Sequence, residues 1–291
     1  MTGNKLSNAA VASWRLAALT VIAMLAFAAN SLFTRIALQT TAIDATTFTV
    51  ARLVTGAFTL TVIVGLRRQK PDVSRKAMLS AVFLFVYAAA FSFAYRDMAT
   101  GAGALVLFAS AQLLMTGYGY AKGERTNPLG VALALAGLAV FLAPSDAAPP
   151  LGSSALMLVA GLAWGGFSLR GQADGSPVVG TASSFIFAVP LALVLLWLRR
   201  HQLHPDAGGL VYAALSGCVT SALGYVAWYR VRVRMPAISA GTNQLSVPVL
   251  SALLGILVLG ETLSVKNLLA AVVVLVGVAL TTHSARVSTK T

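Results

Sequence analysis

Apolar residues along this chain gather into ten stretches that are separated by short polar gaps. Each stretch is close to the roughly 20 residues that an α-helix needs to cross a bilayer core. Lipid offers the backbone no hydrogen-bonding partner, so the pattern predicts an all-α membrane protein with ten transmembrane helices. The gaps leave no room for a soluble domain. The predicted spans are 14–34, 45–66, 77–95, 99–120, 127–143, 152–171, 178–198, 207–229, 236–259 and 264–283.

The composition agrees with this pattern. The chain is 58% hydrophobic and only 10% charged, whereas a soluble domain carries about 25% charged residues. Cys218 is the only cysteine, which excludes an intrachain disulfide and a cysteine-based metal site. His201 and His204 share one gap, and we interpret them as interfacial polar residues. No metal ligand is therefore predicted.

The net charge of +13 does not indicate a nucleic-acid partner, because the basic residues lie mainly in the gaps, where they orient spans. If the N-terminus is inside the cell, 15 Lys and Arg residues fall on the inner side and 5 on the outer side. This asymmetry predicts that both termini are cytoplasmic. Residues 26–28 resemble a signal-peptide cleavage site, but the polar residues beyond them and the many later spans favour an uncleaved first span.

Two turns of the chain repeat the same sequence pattern. Gly123-Glu124 and Gly260-Glu261 lie 137 positions apart, and each pair is followed by a short polar turn and an apolar stretch. A repeat at half length indicates two fused copies of one bundle. Because each copy has five spans, an odd number, the second is predicted to be inverted, as in many secondary transporters. The predicted units are a first five-helix repeat at 1–143, an inverted second five-helix repeat at 152–283 and a cytoplasmic tail at 284–291.

The two glutamates of these turns lie at span ends. The carboxylate of Glu124 or Glu261 could accept hydrogen bonds from N–H groups at a helix N-terminus or pair with a nearby base. We interpret both glutamates as structural. A role in carrying protons stays open for Glu261 and for Asp97.

The starts of spans one and six are related, since Phe27–Leu32 falls on Trp164–Leu169 at the same offset of 137. With the Gly-Glu turns, the chain length and the five-span halves, the sequence resembles the drug/metabolite transporter superfamily, in its ten-span EamA-type branch. Within it, the aromatic amino-acid exporters of the YddG type are the most similar. Ala111 departs from the pattern, because the family often has proline there. The resemblance implies a basket of ten helices, a cavity lined by spans one, three, four, six, eight and nine, and outward transport of small metabolites.

Polar side chains in the middle of apolar spans indicate which helix faces line a cavity, because exposing them to lipid is costly. Span nine is the richest in them, and Pro248 interrupts its hydrogen-bond ladder. Aromatic residues recur on one face of span three. Helix packing is the alternative role for each candidate. The predicted substrate-binding residues are Phe27, Asn30, Tyr87, Phe91, Phe108, Gln112, Trp164, Phe167, Ser168, Tyr225, Asn243 and Gln244.

Aromatic walls combined with amides and hydroxyls suit a small zwitterion that has an apolar side chain. Arg52 is the only basic residue clearly inside a span. It could pair with Asp44 or bind a carboxylate. Because it lies near the outer end of span two, we expect its side chain to reach the membrane surface instead.

These features predict a multi-pass secondary transporter of a bacterial inner membrane that exports small metabolites by alternating access, with amino acids, aromatic or other neutral, as the favoured class. The sequence has no catalytic motif and no nucleotide-binding loop, so no enzyme activity, catalytic residue or cofactor is predicted. The expected partners are a small-molecule substrate and the lipid bilayer, and we expect a monomer to function. A proton-coupled exporter of drugs or other metabolites and a channel-like facilitator stay open as alternatives.

Overall fold

The computed structural model describes residues 2–124, 127–143, 149–170 and 176–287, and helices account for nearly all of them. Within these ranges there is no strand. A short 3-10 turn at Arg200–Gln202 precedes the eighth helix. The helices, numbered in chain order, are α1 (Thr2–Thr40), α2 (Ala45–Leu66), α3 (Arg75–Ala94), α4 (Thr100–Ala121), α5 (Pro128–Leu142), α6 (Leu151–Arg170), α7 (Pro177–Leu198), α8 (Ala207–Arg232), α9 (Ala237–Leu259) and α10 (Val265–Val287).

Four parts of the sequence prediction lie outside the described residues. They are Arg125 behind the first Gly-Glu turn, the segment 144–148 between the halves, Gly171 at the end of the predicted sixth span, and residues 288–291 of the predicted tail. Each predicted span coincides with one helix. α1 extends beyond its predicted span at both ends, from Thr2 to Thr40, and the hydroxyls of Thr34 and Thr40 each donate to the carbonyl four residues earlier, at 2.8 Å.

Eight helices, α1 to α4 and α6 to α9, are long and apolar enough to cross a membrane. α5 has 15 residues, which makes it about 22 Å long at about 1.5 Å per residue. The described apolar part of α10, Val265–Gly277, is also short. The chain is therefore an all-helical, multi-pass membrane protein.

The surface of the bundle is apolar, and polar side chains lie inside it. Phe58 and Leu257 on the outside are 70% and 79% exposed, whereas Asn30, Arg52 and Gln112 are 3% exposed or less. Soluble proteins bury such charged and amide side chains rarely. The distribution fits a protein whose outer surface contacts lipid and whose interior satisfies its polar groups.

The helices of the first five pack against those of the second five in matching pairs. α2 packs on α7, α4 on α9 and α5 on α10. The other extensive contacts between the two groups also occur in pairs: α3 packs on α6 and α7, α8 packs on α1 and α2, and α4 packs on α6 as α9 packs on α1. The interior of the protein therefore lies between the two groups of five helices rather than within either one.

Two helices are irregular where they face the interior. α8 contains a π-helical segment at Ser216–Leu223. α9 is interrupted between Asn243 and Ser246, because Pro248 has no N–H to donate to the carbonyl of Gln244. The predicted break at Pro248 is therefore present.

Each Gly-Glu turn depends on glycine to end its helix. Gly123 after α4 and Gly260 after α9 have φ angles of +85° and +65°. Glycine adopts this left-handed conformation without the steric penalty that a Cβ brings. Both turns therefore bend the chain in the same way and place the following glutamate beside another helix.

The two glutamates cap helices of the opposite half. The Glu124 carboxylate accepts hydrogen bonds from the N–H groups of Ala237 and Ile238 at the start of α9, both at 3.1 Å. The Glu261 carboxylate accepts from the N–H of Thr100 at the start of α4, at 2.9 and 2.8 Å to its two oxygens. A carboxylate at a helix N-terminus satisfies free N–H groups and interacts favourably with the helix dipole.

Neither capped helix has a capping side chain of its own. Ala99 and Pro236 occupy the N-cap positions of α4 and α9, and neither makes a side-chain hydrogen bond there. The prediction that the glutamates accept from a helix N-terminus is confirmed. The sequence did not indicate that the helix belongs to the other half.

We expect Glu124→Ala to lower the free energy of unfolding by roughly 0.5–2 kcal/mol, the usual cost of losing a helix cap. Thermal unfolding of the detergent-solubilised protein would measure this loss. Lys122→Ala, an exposed change in the same turn, serves as the control. An unchanged melting temperature for Glu124→Ala would contradict the role of the cap.

Candidate functional site

Five aromatic rings from α1, α3, α6 and α8 meet in the interior. The ring centre of Trp164 lies 4.9 Å from that of Tyr225, 5.1 Å from Tyr87, 5.2 Å from Phe27 and 5.8 Å from Phe167. All five side chains are 4% exposed or less. Rings at such distances attract one another beyond the effect of burial alone. We call these five residues the central aromatic cluster.

A small cavity adjoins this cluster. Its volume is about 10 Å³ for the centre of a water molecule, which is room for a single water. The structure therefore shows a closed site with no space for a metabolite. Six of the predicted site residues line the cavity together with Ser31. The lining residues are Phe27, Asn30, Ser31, Tyr87, Phe91, Phe108 and Trp164.

Asn30 joins three helices at the wall of the cavity. Its Oδ1 accepts hydrogen bonds from the hydroxyls of Ser216 at 2.7 Å and Thr220 at 3.1 Å, both on the π-helical segment of α8. Its Nδ2 donates to the hydroxyl of Tyr87 on α3 at 3.2 Å. Both ends of the buried amide are therefore hydrogen-bonded, and polar contacts hold the cavity wall together.

Arg52 lies next to this network and is 1% exposed. Its Nε donates to the Ser221 hydroxyl at 3.1 Å, and its Nη2 donates to the hydroxyls of Tyr87 at 3.0 Å and Tyr225 at 2.9 Å. The guanidinium carbon is 5.1 Å from the ring centres of Tyr87 and Phe91. Hydroxyl acceptors and aromatic faces therefore surround the charge.

The expectation that Arg52 reaches the membrane surface is wrong, because α3 and α8 offer it hydroxyls and rings inside the bundle. Asp44 is not its partner either. The Asp44 carboxylate caps α2 by accepting from the N–H groups of Thr46 and Thr47 at 2.9 and 3.0 Å, and it also accepts from the N–H of His204. Partial burial would raise the pKa of Asp44, but these hydrogen bonds and that of the Thr47 hydroxyl hold the pKa below its ordinary value.

Other predicted polar residues join helices beside the cluster. Trp164 donates from its indole nitrogen to Oε1 of Gln244, at the break in α9, at 2.6 Å. Gln112 on α4 donates to the Ile238 carbonyl of α9 at 3.5 Å. Ser168 is fully buried, and its hydroxyl has no hydrogen-bonding partner among the described residues. Gln112, Ser168 and Gln244 are thus interior residues that do not line the cavity.

The structure does not bring Asn243 to the cluster. Asn243 is half-buried in a groove on the outside of the bundle, beside Thr20 and Ser246, and its Nδ2 contacts the sulfur of Met235 at 3.4 Å. Successive side chains of a helix point about 100° apart. Gln244 faces inward, and the Asn243 side chain points into this outer groove instead.

A larger pocket, which we call the vestibule, opens at one end of the bundle. Its volume by the same measure is about 120 Å³. Exposed Asp72 and Lys76 lie at its mouth, and buried Phe167 and Tyr229 form its inner wall. Tyr229 donates to the Phe167 carbonyl at 2.9 Å, and the Phe167 ring contacts Trp164. Phe167 and Tyr229 therefore stand between the vestibule and the small closed cavity.

Polar contacts close the bundle at the other end of α3. Arg35 forms an ion pair with Glu261 at 3.4 Å and donates from Nη1 to the carbonyls of Tyr95 at 2.9 Å and Arg96 at 2.8 Å. Glu261 also caps α4 through Thr100. These contacts hold α1, α3, α4 and α9 together.

Sequence reasoning missed the hydroxyls of α8 that complete the site. Ser216, Thr220 and Ser221 bind Asn30 and Arg52. The available signal was the dense run of small polar residues within an otherwise apolar stretch. Tyr229 is not among the predicted site residues, yet it is 3% exposed and donates to the Phe167 carbonyl.

The sequence profile of the EamA-like transporter family matches residues 152–283, which cover α6 to most of α10. A Pseudomonas aeruginosa protein, described only as uncharacterised, is 48% identical over 265 residues, which cover 90% of this chain and 92% of that protein. The chain belongs to the EamA-like transporter family. A solved crystal structure at 18% identity matches this transporter with a TM-score of 0.68 over 91% of this chain and 98% of that one. The fold is therefore shared at low identity.

We expect Tyr87→Phe to destabilise this transporter, because the Tyr87 hydroxyl accepts from both Asn30 and Arg52. Leaving a buried polar group without its partner costs roughly 1–3 kcal/mol. Thermal unfolding in detergent would show the loss as a lower melting temperature. Tyr118→Phe, at an exposed position on α4, is the matched control, and equal melting temperatures for both variants would refute the expectation.

Proposed function

We propose that the chain is a secondary transporter that exports small metabolites from a bacterial cytoplasm across the inner membrane by alternating access. We further propose that its substrates are amino acids with aromatic or other neutral side chains. One observation carries the proposal: a closed, aromatic and polar cavity lies between an open vestibule at one end of the bundle and an ion-paired seal at the other.

Two inverted five-helix repeats would explain why the contacts between the halves occur in matching pairs. Glu261 follows Glu124 by 137 positions, and Ala237 follows Thr100 by the same number. The cap from Glu124 to Ala237 therefore has its equivalent in the cap from Glu261 to Thr100. The first lies toward the vestibule end and the second at the closed end. Two equivalent contacts at opposite ends are what an axis in the membrane plane produces.

The charge asymmetry supports an orientation for this arrangement. The loop from Arg67 to Lys76 carries five basic residues, and Lys76 lies at the mouth of the vestibule. Because basic loops stay on the cytoplasmic side, we place the vestibule and both termini in the cytoplasm. The structure then corresponds to a conformation closed to the outside.

In alternating access, the protein opens one end of the central cavity while the other end is closed. To open outward, the protein must break the ion pair of Arg35 with Glu261 and the cap on Thr100. While the outside is open, the wall formed by Phe167 on α6 and Tyr229 on α8 must keep the cavity closed to the inside. A solute would bind between the halves, where the central aromatic cluster offers rings for its apolar part and hydroxyls and amides for its polar part.

Counterflow of radiolabelled phenylalanine into proteoliposomes tests the substrate proposal. We expect wild-type protein to accumulate label against unlabelled phenylalanine, and threonine to compete better than lysine or a cationic dye. An imposed pH gradient should not drive uphill accumulation, because the central cavity contains no carboxylate among its lining residues. Uphill uptake would instead support the proton-coupled alternative, and failure of phenylalanine to exchange would refute the substrate class.

In the same assay, Trp164→Phe should slow exchange roughly threefold to tenfold, since it removes the hydrogen bond to Gln244 while keeping a ring. Trp197→Phe, at a position 63% exposed on α7, is the matched control and should exchange at the wild-type rate. Equal rates for the two variants would remove Trp164 from the site.

Cysteine labelling tests the orientation and the repeat. In a Cys218→Ser background, a membrane-impermeant maleimide applied to right-side-out vesicles should label a cysteine at His201 but not one at Lys70 or Lys122. The three positions lie in exposed turns. If the cysteines introduced at Lys70 and Lys122 were labelled from opposite faces of the membrane, the proposed arrangement of five spans per half would be excluded.

A further inference from the structure

The charge on Arg52 lacks a counter-charge in this structure. Within the described part of the chain, Arg52 forms no ion pair with a carboxylate, and its Nη1 is buried with no hydrogen-bonding partner. The hydroxyls that bind Nε and Nη2 are neutral, so they solvate the guanidinium without cancelling its charge. An ionisable group inside a membrane protein is costly and generally marks a functional site.

The backbone of α8 is arranged to reach this arginine. The π-helical segment Ser216–Leu223 places Ser221 on Nε of Arg52 at 3.1 Å. Gly217 lies in the same segment, where a Cβ would collide with the Arg52 carbonyl oxygen. Only glycine therefore allows α8 to lie this close to α2. π-Helical segments occur frequently at functional sites.

Arg52 stands directly behind one wall of the closed cavity. Tyr87 and Phe91 line that cavity, and the guanidinium stacks on both rings. The Tyr87 hydroxyl lies between Nη2 of Arg52 and Nδ2 of Asn30, at 3.0 and 3.2 Å. A modest displacement of the Tyr87 or Phe91 ring would expose the free Nη1 to a molecule in an enlarged cavity.

We propose that Arg52, together with the hydroxyls of Tyr87 and Tyr225, binds the carboxylate of the transported molecule; this inference rests on the proposed function. In the bound state, Nη1 and Nη2 of Arg52 donate hydrogen bonds to the carboxylate, and the hydroxyl of Tyr87 or Tyr225 also donates to one of its oxygens. The planar fork of arginine matches a carboxylate in a way that an ammonium group does not. The carboxylate supplies the counter-charge that Arg52 lacks. Because amino acids and simple carboxylic acids both carry a carboxylate, both can make this contact.

Three related ligands separate the carboxylate from the amine. Phenylalanine has both groups, 3-phenylpropionate lacks the amine, and 2-phenylethylamine lacks the carboxylate. Their affinities would be measured by quenching of tryptophan fluorescence on the protein in lipid nanodiscs. We expect wild-type protein to bind phenylalanine and 3-phenylpropionate and to bind 2-phenylethylamine at least about tenfold more weakly, the effect of one charge-assisted hydrogen bond.

Arg52→Gln should lower the affinity for phenylalanine and for 3-phenylpropionate at least about tenfold while leaving the affinity for 2-phenylethylamine unchanged. Arg52→Lys should recover part of the lost affinity. Arg232→Gln is the control, because Arg232 is the other fully buried arginine in the described residues and lies at the end of α8. We expect it to keep the wild-type preference for carboxylates. The melting temperature of each variant shows that it is folded.

The possible results separate this inference from the proposed function. If phenylalanine binds and Arg52→Gln weakens all three ligands equally or none of them, Arg52 is structural and the inference is overturned. If 3-phenylpropionate binds and phenylalanine does not, the carboxylate site holds and the amino-acid substrate class fails. If the wild-type protein binds none of the three, both fail.

Discussion

The absence of water in the bilayer core is the constraint on which this structure depends. Every backbone N–H and carbonyl in that layer must find its partner within the protein. The constraint makes each apolar stretch a helix, and it also governs how the helices end. The N-cap residues of α4 and α9 are Ala99 and Pro236, whose side chains make no capping hydrogen bond, so Glu261 and Glu124 from the opposite halves cap these helices. The ends of these helices thereby depend on packing between the halves.

The same constraint concentrates polar side chains at the contact between the two groups of helices. Asn30, Arg52 and Tyr87 come from three helices and bond to one another, and the π-helical segment of α8 adds hydroxyls that donate to Asn30 and accept from Arg52. A network of this kind specifies one arrangement of the helices strongly, since a lost partner is expensive. It also gives this EamA-like transporter a polar interior, whereas its outer surface is apolar.

Sequence reasoning placed six predicted residues around one cavity because helix periodicity carries that information. Tyr87 and Phe91 repeat at the spacing of one helix face, and Phe27 and Trp164 occupy related positions in the two halves. Asn243 lies outside this cavity, because the direction of each side chain near the break in α9 depends on the local backbone, which composition does not reveal. The expectation that Arg52 reaches the membrane surface was wrong because its hydrogen-bonding partners lie 35 to 173 positions away along the chain.

The sequence by itself determined that the chain crosses a membrane as helices, and where each helix lies, because hydrophobic length and periodicity are local properties. It also carried the Gly-Glu repeat that relates the two halves. Only the tertiary structure decided which helix each glutamate caps, which polar groups surround Arg52 and which residues stand between the vestibule and the closed cavity. Those contacts join residues that are distant in the chain, and their energies depend on distance and burial, which a linear pattern does not contain.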